Sequence, residues 1–273
     1  MQRKKALEWG RKELKHLENP FLEAEVLLSF ILHCSRELLK AHPEKEIENV
    51  DFLLYKKFVQ KRKKRIPLAY ITGKKEWMGM ELVLTPKVLI PRDETEILCH
   101  HIASQKRKYG VRSCLDVGSG SGNIAFFLAR QFPSARIAGI ENSAQAFAVA
   151  QKNKKKLKLP VSFCRSDMLS DIKKGSQWDI ITANLPYLPR DLEISPEVQQ
   201  EPLSALFSGH DGLDAIRRLQ QQLQRKKILF RELWMEFLPF QQKQIQKIFS
   251  DTKVDFFPDE EGALFFACVR GNI

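Results

Sequence analysis

The sequence lacks long uncharged apolar runs and clustered cysteines. No apolar stretch reaches the ~18 residues that a membrane-spanning helix needs, and the first residues carry charge throughout, without the apolar centre of a signal peptide. The five cysteines are scattered singly, which excludes a dense disulfide framework and a C-x-x-C zinc pair. We therefore expect a cytoplasmic protein, not bound to a membrane, whose cysteines are reduced core residues.

Metal-binding patterns and repeats are also missing. The six histidines are scattered and no H-E-x-x-H motif occurs, so no metal site is predicted. We interpret the adjacent His100 and His101 as a helix surface pair, because no cysteine or acidic ligand stands at metal spacing from them. No internal repeat or low-complexity segment is present. Metal-dependent chemistry is therefore not expected.

Charge is uneven along the chain. The formal net charge is +12, and residues 1–75 hold 18 Lys and Arg against 10 Asp and Glu, a net +8. Such a basic front would attract an acidic partner. A plainer interpretation of the run KRKKR (residues 61–65) is that it forms the solvated end of a helix. Both interpretations stay open at this point.

Three regions follow from the patterning of the 273 residues. Residues 1–65 predict a small helical domain, in which Pro20 opens one helix and Ser35 caps another. Residues 66–92 predict a connector with a β-hairpin. In residues 93–273 apolar strands alternate with helical patterns, which predicts an α/β domain with a parallel sheet and helices on both faces. Two β-like runs near the end predict a hairpin with an antiparallel strand.

A glycine-rich segment follows the first strand of the α/β region. Its sequence is DVGSGSG (residues 116–122), and the next strand ends at Glu141. Alternating glycines let the backbone turn sharply and let a ligand lie on the main chain at a helix N-terminus. An acid at the end of the second strand is typical of sites that bind ribose hydroxyls. The glycine-rich segment together with Glu141 fits a site for a dinucleotide or for S-adenosylmethionine. As a plainer alternative, the glycines by themselves would form a strand-to-helix turn that binds no ligand.

The third and fourth strands favour S-adenosylmethionine over a dinucleotide. Asp167 and Met168 follow the third strand, where an acid can bind the adenine amino group beside an apolar neighbour. The fourth strand leads into TANLPYLP (residues 182–189). Because ligands lie outside the carboxyl ends of the strands, all four strand ends should face one crevice. An enzyme that uses a nicotinamide cofactor does not need the segment at the fourth strand end.

This last segment resembles the N-[PL]-P-Y signature of methyltransferases that alkylate a planar amide or exocyclic amine. Three further blocks resemble the peptide-chain release factor glutamine N5-methyltransferases, the HemK/PrmC family: RIPLAYITG (residues 65–73), TPKVLIPRDETE (residues 85–96) and GHDGLDAIRR (residues 209–218). The resemblance implies a Rossmann-like class I methyltransferase domain of α/β fold behind an N-terminal helical domain that recognises substrate. It also implies methyl transfer from S-adenosyl-L-methionine to the glutamine of the GGQ motif in class I peptide chain release factors.

The resemblance assigns roles to particular residues. The Asn184 side-chain oxygen and the Leu185 carbonyl would accept the two N–H groups of the substrate amide, Pro186 would fix the turn, and Tyr187 would cover the flat amide. Cofactor contacts are expected from the glycine loop, the acids at the strand ends and the catalytic loop: Asp116, Gly118, Ser119, Gly120, Ser121, Gly122, Glu141, Asp167, Met168 and Asn184.

The chain departs from the family pattern at three places. Leu185 replaces the first proline of N-P-P-Y, Asp93 replaces the second proline of I-P-R-P, and a Gly-Gly turn before the fifth strand is missing. Leucine still offers a carbonyl but leaves φ free, so the loop is expected to be looser. The missing glycines leave the placement of the fifth strand, near LWMEF, and the role of Glu236 open.

Other functions compete with protein methylation. Enzymes that methylate adenine N6 or guanine N2 use the same loop, and the chain is basic. The RIPLAYITG block and the lack of a recognisable RNA-binding module favour the release factor over nucleic acid, so direct nucleic-acid binding is not expected. A binding module without activity is disfavoured by the intact Asn184, Glu141 and glycine loop. As a plainer alternative, Asn184 would cap a loop and Tyr187 would be a surface aromatic.

Overall fold

The computed structural model describes residues 1–104, 110–271 and 273. These residues form two compact units: Met1–Lys74 with Ile194–Gln200, and Lys75–Glu193 with Glu201–Ile273. The expected division placed its boundaries at residues 65 and 92. The first unit also includes a segment from much later in the chain, and the predicted division into three regions stays a prediction.

The first unit is helical. Its helices are α1 (Arg3–Glu13), α2 (Pro20–Ile31), α3 (Arg36–Ala41), α4 (Asn49–Lys63) and α5 (Leu68–Thr72). Ser35 caps α3 as predicted, since its hydroxyl accepts a hydrogen bond from Leu38 N at 3.2 Å. Helix α5 lies in the stretch predicted to be a connector with a β-hairpin. It follows Pro67 and ends at Gly73, whose φ of 73° is the left-handed conformation that terminates helices.

Close packing between helices defines the core of this unit. Tyr55 is fully buried, and its hydroxyl donates to the carbonyl of Ala24 at 3.3 Å. A Cβ atom at Gly10 would lie 2.0 Å from that hydroxyl. The tyrosine therefore fits only because position 10 has no side chain, a requirement that no helical periodicity shows.

An ionic network holds the later segment, Ile194–Gln200, in the helical unit. The Glu197 carboxylate accepts hydrogen bonds from Arg62 at 3.2 Å and from Arg65 at 2.9 Å. Arg62 also binds Glu23 at 2.7 Å and is 6% exposed. Because Arg62 is nearly buried, removal of either acid would leave part of its charge unpaired. At least two residues of KRKKR thus form ion pairs within this unit, Arg62 nearly buried and Arg65 partly exposed.

The second unit contains a small hairpin and a large sheet. Strands β1 (Lys74–Trp77) and β2 (Met80–Val83) form the two-stranded sheet. Their two-residue turn has positive φ at Met78 (47°) and Gly79 (68°), as in type I′ hairpins. The seven other strands are β3 (Ser113–Val117), β4 (Arg136–Glu141), β5 (Val161–Arg165), β6 (Gln177–Ala183), β7 (Leu229–Glu236), β8 (Val254–Pro258) and β9 (Leu264–Arg270).

The large sheet has the order β5-β4-β3-β6-β7-β9-β8. Strands β3 to β7 are parallel, whereas β9 runs antiparallel to both β7 and β8. The predicted α/β fold and its antiparallel end are confirmed. The chain moves outward from β3 to β5 and then returns to β6 on the other side of β3. This reversal opens a crevice at the carboxyl ends of β3 and β6, where open α/β sheets bind ligands.

Helices cover both faces of the sheet. They are α6 (Glu94–Ser104), α7 (Asn123–Gln131), α8 (Ala144–Leu157), α9 (Asp214–Lys226) and α10 (Gln242–Ile248). Successive strand residues point to opposite faces: Ile180 joins the core beneath α6 and α7, and Ile181 joins the core beneath α9 and α10. Burial on both faces explains why these strands read as continuous apolar runs. Across the described ranges, no helix is long and apolar enough to cross a membrane.

The fifth parallel strand, β7, is located without the glycines of the family pattern. Lys227 ends α9 in the left-handed conformation (φ 52°, ψ 43°) that a glycine would adopt at lower cost. The strand pairs with β6, with Ile181 opposite Leu233. The doubtful placement near LWMEF is thereby settled, and Glu236 is the last residue of the strand.

Gly212 should be intolerant of any side chain. Its φ is 82°, and a Cβ atom there would lie 2.1 Å from the carbonyl oxygen of Tyr187. Two main-chain segments would then have to separate, so we expect Gly212→Ala to lower the free energy of unfolding by about 1–3 kcal/mol beyond the cost of the left-handed backbone. Urea unfolding followed by fluorescence measures this quantity.

Gly175→Ala is the matched control for that backbone cost. Gly175 has a similar φ of 76°, and a Cβ atom there would meet nothing within 4 Å. Its substitution should therefore report the conformational strain alone, about 1 kcal/mol. Equal losses for the two variants would show that the contact with Tyr187 does not restrict position 212.

Candidate active site

A cavity of roughly 790 Å³ lies at the carboxyl ends of the parallel strands. Ten of the predicted site residues line it: Gly118, Ser119, Gly120, Ser121, Glu141, Asp167, Met168, Asn184, Leu185 and Pro186. Three others, Asp116, Gly122 and Tyr187, are not among the lining residues. The strand ends that sequence reasoning placed at one crevice are therefore brought together.

The glycine loop is held in shape by two neighbouring elements. Gly118, Gly120 and Gly122 all have positive φ, and a Cβ atom at Gly118 would lie 3.0 Å from Leu185 Cδ2. Asn153 of α8, which is fully buried, donates from Nδ2 to the Ser121 carbonyl at 3.0 Å. Helix α7 begins at Asn123, directly after the loop. The N–H groups of Gly118, Gly120 and Gly122 are bonded within the protein, so the loop offers the cavity a main chain without side chains, followed by the N-terminus of α7.

Glu141 is oriented by main-chain donors. Its Oε2 accepts from Gly120 N at 2.8 Å, and its Oε1 accepts from Ser143 N at 2.7 Å. Because each carboxylate oxygen can accept more than one hydrogen bond, the group keeps acceptor sites for ligand hydroxyls. This acid connects the glycine loop to the start of α8 at the cavity wall.

Asp116 lies beneath the glycine loop and is 1% exposed. Its Oδ1 accepts from the Thr182 hydroxyl at 2.8 Å, and its Oδ2 has no hydrogen-bond partner within the described residues. Desolvation by burial raises the pKa of this carboxyl to about 6, although the hydrogen bond from Thr182 opposes the shift. A cationic ligand near the loop would favour its ionised form.

Asp167 and Met168 form another part of the wall. Arg218 of α9 is ion-paired with the Asp167 carboxylate, and both side chains are partly exposed. Met168 has a φ of 50°. The pairing with Arg218 was not visible in the sequence, because the two residues are far apart along the chain.

Hydrogen bonds with two other parts of the chain hold the segment after β6. The Leu188 N–H donates to the Leu206 carbonyl at 2.9 Å, and the Ser208 N–H donates to the Leu188 carbonyl at 2.9 Å. Gln241, a buried residue directly before α10, donates from Nε2 to the carbonyl of Tyr187 at 2.9 Å. These contacts hold the chain directly after Leu185 and Pro186, and a looser loop at Leu185 itself stays a prediction. Gln241 belonged to no recognised motif.

Asn184 is oriented by its neighbour Thr95. Its Nδ2 donates to the Thr95 hydroxyl oxygen at 3.1 Å, and Thr95, at the start of α6, is 1% exposed. Once the amide nitrogen is committed to Thr95, Oδ1 is the end that remains as an acceptor. The resemblance assigned this acceptor role to Asn184, and Thr95 supplies a physical reason for the orientation.

Tyr187 does not line the cavity. Its hydroxyl donates to Oε2 of Glu236 at 3.3 Å. Burial and the adjacent Glu236 carboxylate raise the pKa of the tyrosine far above its usual value. Coverage of a substrate amide by this ring stays a prediction. The hydrogen bond to Glu236 was not foreseen.

Arg92 and Glu201 add a second pair that sequence reasoning did not use. Glu201 is buried, and its carboxylate accepts from Arg92 Nη2 at 2.6 Å and from Ile90 N at 3.0 Å. Arg92 lines the cavity. The pair ties the segment before α6 to the segment after the catalytic loop. Its only sequence signal was that Arg92 lies within the TPKVLIPRDETE block.

A seven-stranded sheet of this order, with a glycine loop after its first strand and an acid after its second, defines a class I methyltransferase. Solved structures share the fold. The hMettl16 catalytic domain in complex with MAT2A 3′UTR hairpin 1 matches with a TM-score of 0.56 and 14% identity, covering 85% of this chain and 84% of that one. The T. thermophilus 16S rRNA methyltransferase RsmC, solved with AdoMet and guanosine, matches with a TM-score of 0.51 and 18% identity, covering 73% of this chain and 50% of that one.

Two family models match parts of the chain: the PrmC N-terminal domain at residues 5–73 and the methyltransferase small domain at residues 93–204. The release factor glutamine methyltransferase of Koribacter versatilis is 38% identical over 219 residues, covering 77% of this chain and 78% of the relative. That of Buchnera aphidicola subsp. Schizaphis graminum is 36% identical over 250 residues, covering 90% and 89%. The chain belongs to the release factor glutamine methyltransferase family, which confirms the predicted membership.

Proposed function

We propose that this enzyme transfers a methyl group from S-adenosyl-L-methionine to the side-chain amide nitrogen of the GGQ glutamine in class I peptide chain release factors. The observation that carries the proposal is the Asn184 amide, whose nitrogen is committed to Thr95 beside the glycine loop. Its oxygen is then the acceptor for a substrate N–H. Family membership and the described geometry support the same substrate chemistry.

The residues of the cavity fit S-adenosylmethionine. The molecule is cationic, and Asp116 has an unpartnered carboxylate oxygen beneath the loop. Gly118 and Gly120 have no Cβ atoms and positive φ, which lets a ligand approach the main chain closely. We assign the ribose hydroxyls to Glu141 and the adenine amino group to Asp167. These roles extend the cofactor contacts predicted for the strand ends.

The chain must activate a weak nucleophile. The lone pair of an amide nitrogen is delocalised into the carbonyl, so the site must orient that nitrogen and exclude water. The cofactor supplies an electrophilic methyl: its bond to sulfur breaks as the bond to nitrogen forms, sulfur keeps the electron pair, and the nitrogen releases one proton. Asn184 Oδ1 and the Leu185 carbonyl would each accept one N–H of the substrate. Pro186 sets the turn between these acceptors and Tyr187.

A labelled methyl transfer assay tests the proposal. Purified enzyme is incubated with tritiated S-adenosylmethionine and a class I release factor, a release factor whose GGQ glutamine is replaced by alanine, or rRNA. We expect label in the first protein alone. Label in rRNA would instead favour a nucleic-acid amine methyltransferase, the function suggested by the shared loop and the basic chain. Label in both release factors would place the methyl on another residue.

We further propose that the helical unit recognises the release factor. Helix α4 exposes Val50, Leu53 and Leu54 at 66%, 63% and 40%, next to the exposed Lys56 and Lys57. An apolar surface rimmed by lysines suits an acidic protein surface.

Reversing charge on α4 tests this recognition. We expect Lys56→Glu with Lys57→Glu to lower kcat/KM on intact release factor about 3- to 10-fold at low salt, and less as salt rises, since the effect is mainly on association. The affinity for S-adenosylmethionine should not change. Substitution is a cleaner test than deletion of the helices, because deletion would also remove Arg62 and Arg65, the partners of Glu197.

The same change of charge on α10 is the control. Lys243 and Lys247 are exposed in the second unit, and Lys243→Glu with Lys247→Glu alters net charge equally. This control should leave kcat/KM near the original value. Equal losses in both double variants would mean that net charge, rather than the α4 surface, determines association.

A further inference from the structure

Gln241 joins three segments of the second unit at one buried point. It is 1% exposed, and its Nε2 donates to the carbonyl of Tyr187 at 2.9 Å and to the carbonyl of Asp211 at 2.8 Å. Its Oε1 accepts from Leu238 N at 2.8 Å. The amide nitrogen thus serves two main-chain acceptors and the amide oxygen serves a main-chain donor, which fixes the orientation of the group.

The junction has no room for a further side chain. Gly212 follows Asp211, and a Cβ atom there would lie 2.5 Å from Gln241 Nε2 and 2.1 Å from the Tyr187 carbonyl oxygen. The glycine therefore lets the amide reach both carbonyls at once. Gln241 is also bonded to its own turn, because its main-chain N–H donates to the Leu238 carbonyl at 2.8 Å. The chain after β6 is in this way held against the turn between β7 and α10.

Tyr187 is bonded to this connection through two of its groups. Its carbonyl accepts from Gln241, and its hydroxyl donates at 3.3 Å to Glu236, the last residue of β7. Pro186 precedes the tyrosine, and its ring restricts φ. A displacement of Tyr187 would therefore be transmitted to the two residues before Pro186, which carry the proposed acceptors for the substrate amide.

We propose that Gln241 is a positioning residue that keeps the N-L-P-Y segment (residues 184–187) in the geometry for methyl transfer. It is not among the cavity-lining residues of the described chain, so it acts through Tyr187. The inference rests on the proposed function, because the acceptors that it positions are those for the release factor amide. It also gives the GHDGLDAIRR block a role, since Asp211 and Gly212 of that block complete the junction.

Loss of the Gln241 amide would remove the bonds to two buried carbonyls and one N–H group. Buried main-chain groups that lose a partner move towards water or another donor, so the segment would shift. A shift of about 1 Å at the reacting groups can cost ~100-fold in rate. Glu141 and the glycine loop are bonded to each other and should stay in place. A variant at position 241 should therefore lose kcat and keep its affinity for the cofactor.

The first test is Gln241→Met, which removes the amide and keeps the length of the side chain. We expect kcat on intact release factor to fall about 10- to 100-fold at saturating S-adenosylmethionine. KM for the release factor and the calorimetric Kd for S-adenosylmethionine should stay within about threefold, because the substrate and cofactor contacts themselves are kept. The assay is run at a temperature where circular dichroism shows both enzymes fully folded. A Gln241→Met enzyme with the original kcat would overturn the proposal.

Gln241→Glu is the second variant, and it replaces the first if Gln241→Met does not fold. Glutamate keeps the shape of the side chain and an acceptor for Leu238 N, but it donates one proton at most and none when ionised. It cannot serve both carbonyls, so kcat should fall as in Gln241→Met. Full kcat in the glutamate variant would show that the two donated hydrogen bonds do not position the segment.

Gln222 provides the matched control. It is another buried glutamine of the second unit, 6% exposed in α9, and its Oε1 accepts from Leu169 N at 2.7 Å. It bonds the segment after β5 rather than the segment after β6. Gln222→Met should therefore keep kcat at saturating S-adenosylmethionine. Equal losses of kcat in Gln222→Met and Gln241→Met would mean that loss of any buried amide lowers the rate, and would overturn the proposal.

Hydrogen exchange without substrate separates this inference from the proposed function. The main-chain amides of residues 182–189 should exchange at least ~5-fold faster in Gln241→Met than in the original enzyme, and those of residues 116–123 should not change. If this pattern appears but the original enzyme methylates no release factor, Gln241 holds the segment and the proposed substrate is wrong. If the original enzyme methylates release factor, and Gln241→Met matches it in both exchange and kcat, the proposed function stands and the positioning role is wrong.

Discussion

Replacing Asn184 by Ala should lower methylation of the release factor by at least ~100-fold. The variant removes an acceptor that acts on the reacting amide, and loss of one such polar contact typically costs two to three orders of magnitude in other enzymes. Thr95, its partner at 3.1 Å, would lose its donor and could not replace the missing acceptor. Single-turnover methylation of intact release factor with a saturating methyl donor measures the effect.

The cofactor site should survive this change. Glu141 is held by the Gly120 and Ser143 main-chain groups and does not depend on Asn184. The affinity for S-adenosylmethionine, measured by calorimetry, should therefore stay within a few-fold. A variant that methylates at the original rate would refute the amide clamp, and one that no longer binds the cofactor would show that Asn184 acts mainly as a cofactor contact.

Glu141→Ala should differ from Asn184→Ala in its effect on the cofactor. It should weaken cofactor binding while the enzyme stays folded. Loss of a charge-assisted contact to ribose costs about 1.5–3 kcal/mol, or roughly 10- to 150-fold in Kd. The structure adds a second reason, since the Gly120 and Ser143 N–H groups both lose their acceptor and the glycine loop is held less firmly. Calorimetric titration with S-adenosylmethionine tests this expectation.

Glu81→Ala controls for the loss of a negative charge. Glu81 lies in β2, is ion-paired with Lys156 and is outside the described cavity lining. Its substitution should leave the Kd for S-adenosylmethionine close to the original. An unchanged Kd in Glu141→Ala would mean that Glu141 does not bind ribose. Equal weakening in both variants would point to overall charge.

The sequence predicts those features that depend on local pattern. Apolar runs such as WDII and SCLDV indicate strands buried on both faces, and the positive-φ turns around Gly118 and Gly120 require residues without a side chain. Because ligands lie at the carboxyl ends of parallel strands, the strand order was not needed to bring Glu141, Asp167 and Asn184 to one cavity. The resemblance then supplied the chemistry of the fourth strand end.

The sequence analysis did not predict contacts between residues that are far apart along the chain. Glu197 appeared to belong to the α/β region, yet Arg62 and Arg65 bind it in the helical unit. Lys227 makes a left-handed turn for which the family pattern uses glycine, because pairing of β7 with β6 outweighs the local preference. Tertiary contacts determine both outcomes, and neither leaves a periodic signal.

The sequence by itself determined the strands, the glycine loop and the identity of the side chains that enter the crevice, because these depend on residue type and on periods of two and 3.6 residues. Only the tertiary structure decided how those side chains are oriented. Asn184 is directed by Thr95, Tyr187 by Glu236 and its carbonyl by Gln241, and each partner comes from a distant part of the chain. The physical reason is that a hydrogen bond has a direction set by its partner, and partners buried together by packing need not be near in sequence.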